Sequence, residues 1–281
     1  MEKQLVRVPA DTAGLKFLYE TVPGRVLLKL LSARGVSKFA GHLMDSRLSR
    51  PIIPGFIRKN HIDLSDYLEE EYPSFNAFFC RRVRPEARPV AGGDCVICPC
   101  DGLMSVYPIT DDTVLPVKQS AYTLEALLKD ASLARKFAGG TCFVFRLCVN
   151  HYHRYCYPVS GEKGGNRFLP GVLHTVRPIA LRNRPVFAEN CREYTVTDTE
   201  RYGRVLQMEV GAMLVGKILN NDGVGYVKKG AEKGCFLYGG STIILLFQKD
   251  AVRFPEWYLE SGSDAVEIPV KCGEWLAGPV K

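Results

Sequence analysis

No long apolar run is present in this sequence of 281 residues. A membrane-spanning helix needs ~20 consecutive apolar residues, and the run at residues 243–247 has only the length of a strand. The opening residues, MEKQLVRVPADTAG, also lack the apolar segment of a secretory signal. We therefore expect an intracellular protein whose contact with any membrane is peripheral.

Paired metal-binding motifs are missing too. The ten cysteines include Cys95-x-x-Cys98-x-Cys100, a spacing that could hold zinc, but no second Cys or His pair stands at the distance that a zinc finger requires. The chain does not resemble a small disulfide scaffold, and its length is sufficient for a core without such a staple. We expect reduced thiols and no bound metal.

The charge imbalance is small and positive. Lys and Arg total 37 against 30 Asp and Glu, which gives a net charge of +7. This excess suits a protein that meets an anionic surface, either lipid headgroups or nucleic acid, and by itself it selects neither.

The N-terminal part has the pattern of amphipathic helices. Between residues 14 and 50, apolar side chains recur at helical spacing beside the basic residues Arg25, Lys29 and Arg34, with a kink expected at Pro23-Gly24. Such helices pack on their own core or lie on anionic lipid, and the pattern alone favours the core. Residues 64–71 predict a further short helix, and Ser74 is the predicted N-cap of another.

The pattern changes from about residue 94. Short runs rich in Val, Ile, Phe and Tyr alternate with Gly, Pro, Asn and Asp, which predicts strands near 142–149, 194–197, 205–210 and 242–247 and one helix near 123–137. We therefore predict an α+β fold with a mainly antiparallel, sandwich-like or barrel-like β core preceded by amphipathic N-terminal helices. The predicted division is a helical region at 1–92 and a β-rich catalytic core at 93–281.

The segment Gly239-Gly240-Ser241-Thr242 precedes the predicted buried strand at 242–247. A glycine pair allows a sharp turn, so the Ser241 hydroxyl could attack the preceding carbonyl and form an ester. Elimination and hydrolysis would then leave a pyruvoyl group and ammonia. Taken alone, the segment is more simply a glycine turn before a strand. It lacks the Gly-x-Ser-x-Gly elbow of many serine hydrolases.

Three other segments carry polar residues that suit a site. Asp101 lies in Pro99-Cys100-Asp101-Gly102, which is predicted to be a tight turn. Two histidines and an arginine follow a predicted strand in His151-Tyr152-His153-Arg154. His174 lies in residues 170–176, which we predict to be a strand.

From about residue 73 to its end, the sequence resembles the phosphatidylserine decarboxylase family. Each shared phrase is weak alone, but their order and spacing together are specific. The phrases are Phe-Phe-x-Arg-x-x-x-Pro-x-x-Arg-Pro at 78–89, Pro-x-Asp-Gly at 99–102, Tyr-His-Arg at 152–154, Val-Gly-Ala-x-x-Val-Gly at 210–216, Lys-Lys-Gly at 228–230 and Gly-Ser-Thr at 240–242.

The resemblance implies a self-cleaving enzyme. Cleavage between Gly240 and Ser241 would give a β chain of residues 1–240 and an α chain of residues 241–281 that remain associated. Ser241 would become a covalent pyruvoyl cofactor. The reaction implied is decarboxylation of phosphatidylserine to phosphatidylethanolamine.

The resemblance also implies roles for residues and a location. Asp101 and Ser241 match the acid and the nucleophile of an Asp-His-Ser self-processing triad, and His153 matches the histidine of the decarboxylation step. The N-terminal helices would bind an anionic surface on the cytoplasmic side of the cytoplasmic membrane, without nucleic acid. A homo-oligomer is left open. The alternatives are a soluble pyruvoyl decarboxylase of a free amino acid and a non-catalytic β-sandwich module.

The sequence departs from the family pattern at the triad base. Many members have histidine where this chain has Cys156, and a neutral thiol is a poor base because its pKa is near 8.5. His153 could serve in both self-processing and decarboxylation, His174 could replace the missing imidazole, or Cys156 could act as a thiolate. We prefer these hypotheses in that order. His151, where many members carry Asp, and Gln119, where Gly is expected, are further departures.

Overall fold

The computed structural model describes residues 5–7, 12–32, 34–110, 114–117, 120–176, 178–183, 185–212, 217–221, 223–238, 241–262 and 266–280. Gly239, Gly240 and Gln119 lie outside the described residues, as do residues 213–216 of the phrase at 210–216. The bond at which cleavage is predicted is therefore described only on its Ser241 side.

The helices gather in the N-terminal part and in two shorter groups along the chain. They are α1 (Ala13–Glu20), α2 (Val22–Leu31), α3 (Arg34–Asp45), α4 (Ile52–Asn60), α5 (Phe75–Phe79), α6 (Leu124–Leu128), α7 (Ala131–Arg135), α8 (Pro178–Asn183) and α9 (Val186–Glu189). The predicted helices between 14 and 50 are confirmed. The predicted helix near 123–137 is two helices, because Lys129 has a left-handed φ of 51° between them.

The break between α1 and α2 falls at Thr21, just before Pro23. The Thr21 hydroxyl donates to the Phe17 carbonyl at 2.7 Å and accepts from the Gly24 amide at 3.1 Å, so it supplies partners to both helix ends. A Cβ at Gly24 would lie 1.9 Å from the Phe17 oxygen. Glycine is therefore required at this position for the close approach of the two helices.

The prediction of a helix at 64–71 is wrong. Tyr67 forms an isolated antiparallel bridge with Val83, and the Leu68 amide donates to the Arg82 carbonyl at 2.9 Å. Pairing with this distant backbone holds the segment in a turn and extended form. The predicted cap at Ser74 is confirmed, since its hydroxyl accepts from the Ala77 amide at the start of α5.

The strands carry the core. They are β1 (Val6–Arg7), β2 (Val96–Ile97), β3 (Gly102–Pro108), β4 (Val114–Val117), β5 (Ser120–Thr123), β6 (Thr141–Leu147), β7 (Arg154–Cys156), β8 (Gly161–Lys163), β9 (Arg167–Leu169), β10 (Arg192–Thr199), β11 (Gly203–Val210), β12 (Ile218–Asn220), β13 (Gly225–Val227), β14 (Glu232–Phe236), β15 (Ser241–Phe247), β16 (Val252–Arg253), β17 (Val266–Val270) and β18 (Trp275–Pro279).

One ten-stranded antiparallel sheet organises the molecule. Its order is β1-β17-β3-β6-β15-β11-β10-β8-β13, with β9 also paired to β10, and β12-β14-β7 and β16-β18-β2 form smaller sheets. The predicted α+β class with a mainly antiparallel β core is confirmed. The central strand, β15, is buried along its whole length between β6 and β11.

The two faces of β15 belong to different core clusters. Ile244 and Leu246 pack with Tyr19 and Leu28 of the N-terminal helices. Residues 243, 245 and 247 pack on the other face with Phe236 of β14 and with residues of β2 and β18. Because side chains alternate along a strand, Ser241 belongs to this second face, which the small sheets cover.

Candidate active site

Ser241 is the first residue of β15 and is fully buried. It pairs with Leu147, the last residue of β6. Its hydroxyl has no hydrogen-bond partner among the described residues. A buried hydroxyl without a partner costs free energy relative to a paired one, about 1–3 kcal/mol, so this position calls for a functional explanation.

Asp101 lies at the same end of the sheet, immediately before β3. Strands β3, β6 and β15 are adjacent, and Arg146 of β6 is paired with both Leu103 and Thr242. Asp101 and Ser241 are therefore separated by one intervening strand, a distance of about 10 Å at the usual strand spacing.

The Asp101 carboxylate is held by an arginine. The Arg88 Nε and Nη2 atoms lie 2.8 and 2.6 Å from Oδ1 and Oδ2, and the Cys272 amide donates to Oδ1 at 2.9 Å. Arg88 also pairs with Asp66 at 2.8 Å. Such a two-pronged contact fixes the orientation of the carboxylate as well as its charge. The described contacts of Asp101 do not include His153.

His153 is fully buried against the ring of Phe79, with 3.9 Å between the ring centroids. Its Nδ1 lies 2.9 Å from the His151 carbonyl oxygen, and its Nε2 has no partner within the described ranges. Burial, reinforced by the charge of Arg81, holds the pKa of His153 well below its usual value. The imidazole is therefore neutral near pH 7, with an unoccupied ring nitrogen inside the protein.

The segment that carries the two histidines is fastened by Arg81. This buried guanidinium donates to the carbonyl oxygens of Asn150 and His151 at 3.3 and 3.4 Å and stacks over the Tyr67 ring at 4.3 Å. Reasoning from the sequence assigned no role to Arg81 or Arg88. Both arginines belong to the family phrase at 78–89, and their presence in that phrase could have indicated that they have a role.

Cys156 is buried in a pair of thiols. Its Sγ lies 3.6 Å from the Cys272 Sγ, and the contact with this second thiol, together with burial, raises the pKa of Cys156 well above its usual value. This environment disfavours the thiolate that one of the three hypotheses requires.

His174 does not lie in a strand, so that prediction is wrong. Residues 170–176 form only an isolated bridge between Val172 and Asn190, and the His174 amide is bound by the Asn190 side chain. The His174 ring contacts Tyr19, with 3.5 Å between Nδ1 and the tyrosine hydroxyl oxygen, and Glu189, with 3.7 Å between Nε2 and Oε2. These contacts place His174 beside helices α1 and α9, in the layer opposite to the Ser241 face.

No group of three or more His, Cys, Asp or Glu side chains in the described ranges is arranged to hold a metal ion. No helix in the same ranges is long and apolar enough to cross a membrane.

The α+β fold thus carries a buried serine at the head of a central strand, a fixed carboxylate at the same sheet end and two histidines on the segment between β6 and β7. The chain belongs to the phosphatidylserine decarboxylase family, whose sequence profile matches residues 75–278. The members of this family are carboxy-lyases.

Curated relatives agree over nearly the whole chain. A phosphatidylserine decarboxylase proenzyme 2 of Clostridium acetobutylicum is 43% identical over 262 residues, which cover 92% of this chain and 90% of the relative. Phosphatidylserine decarboxylase proenzymes of Ruminiclostridium cellulolyticum and Chlamydia muridarum are 39% and 38% identical, over 92% and 94% of this chain and 89% and 90% of theirs.

Proposed function

We propose that this chain decarboxylates phosphatidylserine to phosphatidylethanolamine, using a pyruvoyl group that it makes from Ser241. The observation that carries the proposal is the Ser241 hydroxyl, which is fully buried without a partner among the described residues and stands at the start of the central strand. This is the position at which the family's Gly-Ser-Thr phrase falls.

Self-processing proceeds by rearrangement of one peptide bond. The Ser241 oxygen bonds to the Gly240 carbonyl carbon, and the bond from that carbon to the Ser241 nitrogen breaks, which gives an ester. Loss of the Cα proton then breaks the Cβ–Oγ bond and releases residues 1–240 with a new carboxylate. Hydrolysis of the dehydroalanine that remains gives the pyruvoyl group and ammonia.

The environment of Ser241 suits these steps and the group that they form. The hydroxyl is water-excluded and its strand is held on both sides by β6 and β11. His153 offers an unoccupied Nε2 for proton transfer, and its low pKa keeps that nitrogen unprotonated. Asp101, fixed by Arg88, supplies a negative charge that favours a protonated base at this sheet end.

The pyruvoyl carbonyl, once formed, supplies an electron sink for the pair released when the substrate carboxylate leaves as CO2. For the chain's own residues, the remaining tasks are to exclude water and to return a proton to the α-carbon. His153 is the residue proposed for that proton, since it is buried and neutral.

Residues 1–92 are proposed to bind the membrane surface, and residues 93–281 to form the catalytic core. Helices α1 to α3 bury Tyr19 and Leu28 in the core and expose other apolar residues, among them Val26 at 70% and Phe39 at 73%. Between residues 13 and 52, the large apolar side chains described as exposed are Phe17, Val22, Val26, Leu27, Phe39, Leu43, Leu48 and Ile52. Exposed Arg25 and Lys29 lie among them, as in helices that bind anionic lipid.

The proposal is tested by intact mass and by N-terminal sequencing of the purified protein. We expect fragments of residues 1–240 and 241–281, with the smaller one blocked by pyruvoyl. A full-length chain with unmodified Ser241 that still decarboxylates phosphatidylserine would refute it. Activity on vesicles against activity on free amino acids separates the lipid enzyme from a soluble decarboxylase, and vesicle flotation with and without residues 14–50 tests the helices as the anchor.

A further inference from the structure

Three contacts hold His153 in place. Its Nδ1 lies 2.9 Å from the His151 carbonyl oxygen, and because a carbonyl only accepts, the neutral ring carries its proton on Nδ1 and its lone pair on Nε2. The His153 carbonyl oxygen accepts from the Phe236 amide at 3.0 Å. The Phe79 ring lies against the imidazole, with 3.9 Å between the centroids and 35° between the planes. The two hydrogen bonds fix the backbone and one ring nitrogen, and Phe79 restrains the plane of the ring.

From this arrangement we propose that Phe79 is a positioning residue for His153. It covers a face of the imidazole, keeps water away from that face, and restrains the ring while the proton is on Nδ1 and the lone pair is on Nε2. Phe79 has no group that exchanges a proton, so it acts through His153. The inference deepens the proposed function and rests on His153 as the residue that transfers protons.

Phe79 can restrain another ring because it is itself fixed. It is fully buried at the end of α5. Phe75, one turn earlier, stacks on it with 24° between the planes, and Tyr238 meets it edge-on with 5.3 Å between the centroids. The Asn76 amide of the same helix donates to the Asp45 carboxylate at 2.8 Å, which ties α5 to the end of α3. Such close packing leaves a core side chain few other positions.

The electrostatics explain why the cover over the ring matters. Burial is the main cause that holds the pKa of His153 well below its usual value. The charges of Arg81 and of a protonated His151 act in the same direction, and the hydrogen bond to the His151 carbonyl opposes them. A smaller side chain at residue 79 would open part of the imidazole to water. Because hydration favours the charged form, the pKa of His153 should then rise toward its ordinary value of about 6.5.

Other ionisable groups of the surrounding elements are paired with one another. Arg154 of β7 and Glu232 of β14 form an ion pair at 2.7 Å. Cys80, which follows α5, and Cys235 of β14 interact through their thiols, and that contact and burial raise the pKa of Cys80. Burial is therefore the part of the environment of His153 that a change at residue 79 should alter most.

The test compares Phe79→Leu with Phe75→Leu in the uncleavable Ser241→Ala background. Phe75 is the matched control, because it is a buried phenylalanine of the same helix whose described ring contacts do not include His153. Imidazole ¹⁵N spectra of histidine-labelled protein report the tautomer and the titration of each ring, and His153→Gln identifies the His153 signals. We expect the parent and Phe75→Leu to keep the Nδ1 proton without titration between about pH 5 and 8. In Phe79→Leu, the titration midpoint should rise by about one pH unit or more, into that range.

The cleavable forms of the same variants give a second readout. With the rate of CO2 release from phosphatidylserine vesicles divided by the pyruvoyl content, the pH at which kcat is half-maximal should move with the NMR midpoint in Phe79→Leu. It should stay at the wild-type value in Phe75→Leu. If Phe79→Leu does not fold, Phe79→Met keeps more of the side-chain volume and should show a smaller shift of the same sign.

Two outcomes would overturn the inference. One is an unchanged tautomer and midpoint of His153 in the folded Phe79 variant, and the other is an equal shift in Phe75→Leu, which would indicate a general loosening of the core. If the wild-type chain yields no fragments, the proposed function fails, and the NMR comparison still decides the role of Phe79. A shifted midpoint with an unshifted kcat profile would support the positioning by Phe79 and refute His153 as the residue that transfers protons.

Discussion

Two buried polar regions share one face of the large sheet and differ in how their atoms are paired. At the head of β15, the Ser241 hydroxyl and the His153 Nε2 have no partner in the described part of the chain. Further along the same face, Lys233 of β14 and Glu209 of β11 form a fully buried ion pair at 2.6 Å, which also binds Asn220.

We interpret this difference as one between the region proposed to react and a region that is structural. The Lys233–Glu209 pair joins the small sheet to the large one, and among its carboxylate and ammonium atoms only Glu209 Oε1 lacks a partner within the described ranges. Burial raises the pKa of Glu209 and lowers that of Lys233, but each stabilises the charge of the other. Unpaired groups that are free to react should control chemistry, and paired groups should control stability.

The largest effect is expected at Ser241. Ser241→Ala should abolish cleavage and activity completely, because no hydroxyl remains to form the ester. Intact mass measures cleavage, and release of CO2 from phosphatidylserine vesicles measures activity. Partial cleavage of this variant would contradict the assigned nucleophile.

The next effect concerns the fixed carboxylate. Asp101→Asn should slow the formation of the 241–281 fragment by about 100-fold or more, because the charge that favours a protonated base is lost. Arg88→Lys, which keeps the charge but not the two-pronged contact, should slow it less. A pulsed synthesis time course gives both rates. Maturation of Asp101→Asn at the wild-type rate would remove Asp101 from the mechanism.

Substitutions in the Lys233–Glu209 pair should change the stability of the fold rather than cleavage. In the uncleavable Ser241→Ala background, Lys233→Met should lower the free energy of unfolding by about 3–5 kcal/mol, because it leaves the Glu209 carboxylate buried without its partner. The double change Lys233→Met with Glu209→Leu should recover much of that loss. Denaturant titration is the measurement. If Lys233→Met were instead as stable as its parent and failed to cleave in the wild-type background, the division between the two regions would be wrong.

The smallest effect is a dependence of stability on pH. The pKa of His151 is about 4 in the fold and near 6.5 when unfolded, so below pH 6.5 the unfolded chain binds more protons. Stability should fall as the pH drops from about 6.5 to 4, by at most about 1.4 kcal/mol per pH unit from this residue. His151→Gln in the Ser241→Ala background should flatten that part of the curve. Parallel curves would show that His151 does not titrate in this range.

The sequence alone was sufficient to propose Ser241 as the nucleophile, whereas the groups around it could not be inferred. The Gly-Ser-Thr phrase and the apolar run after it identify Ser241 because a strand and a turn are local features. The tautomers of His151 and His153 depend on which backbone group faces each ring. That is set by the turn at 148–151 and by Arg81, a residue distant in sequence that follows α5.

Long-range pairing also explains the two segments that were predicted wrongly. Residues 64–71 have a helical pattern, but their backbone pairs with residues 82–83, and tertiary contacts override a weak local propensity. Residues 170–176 read as a strand, but Asn190 binds both the amide and the carbonyl of His174 through its side chain. Neither partner can be inferred from the segment itself.

The placement of β15 has a consequence for the two fragments that the proposed cleavage would produce. Residues 241–281 contribute β15 and β17 to the large sheet and β16 and β18 to a smaller one, so a cut before Ser241 leaves the short fragment interleaved with the long one. We expect the two fragments to separate slowly, so that the lifetime of the folded protein would be set by its unfolding rate. Once unfolded, a single chain can refold by itself, but two fragments must first find each other. We therefore expect recovery of the cleaved protein from denaturation to depend on its concentration, whereas the uncleaved chain would refold without that dependence.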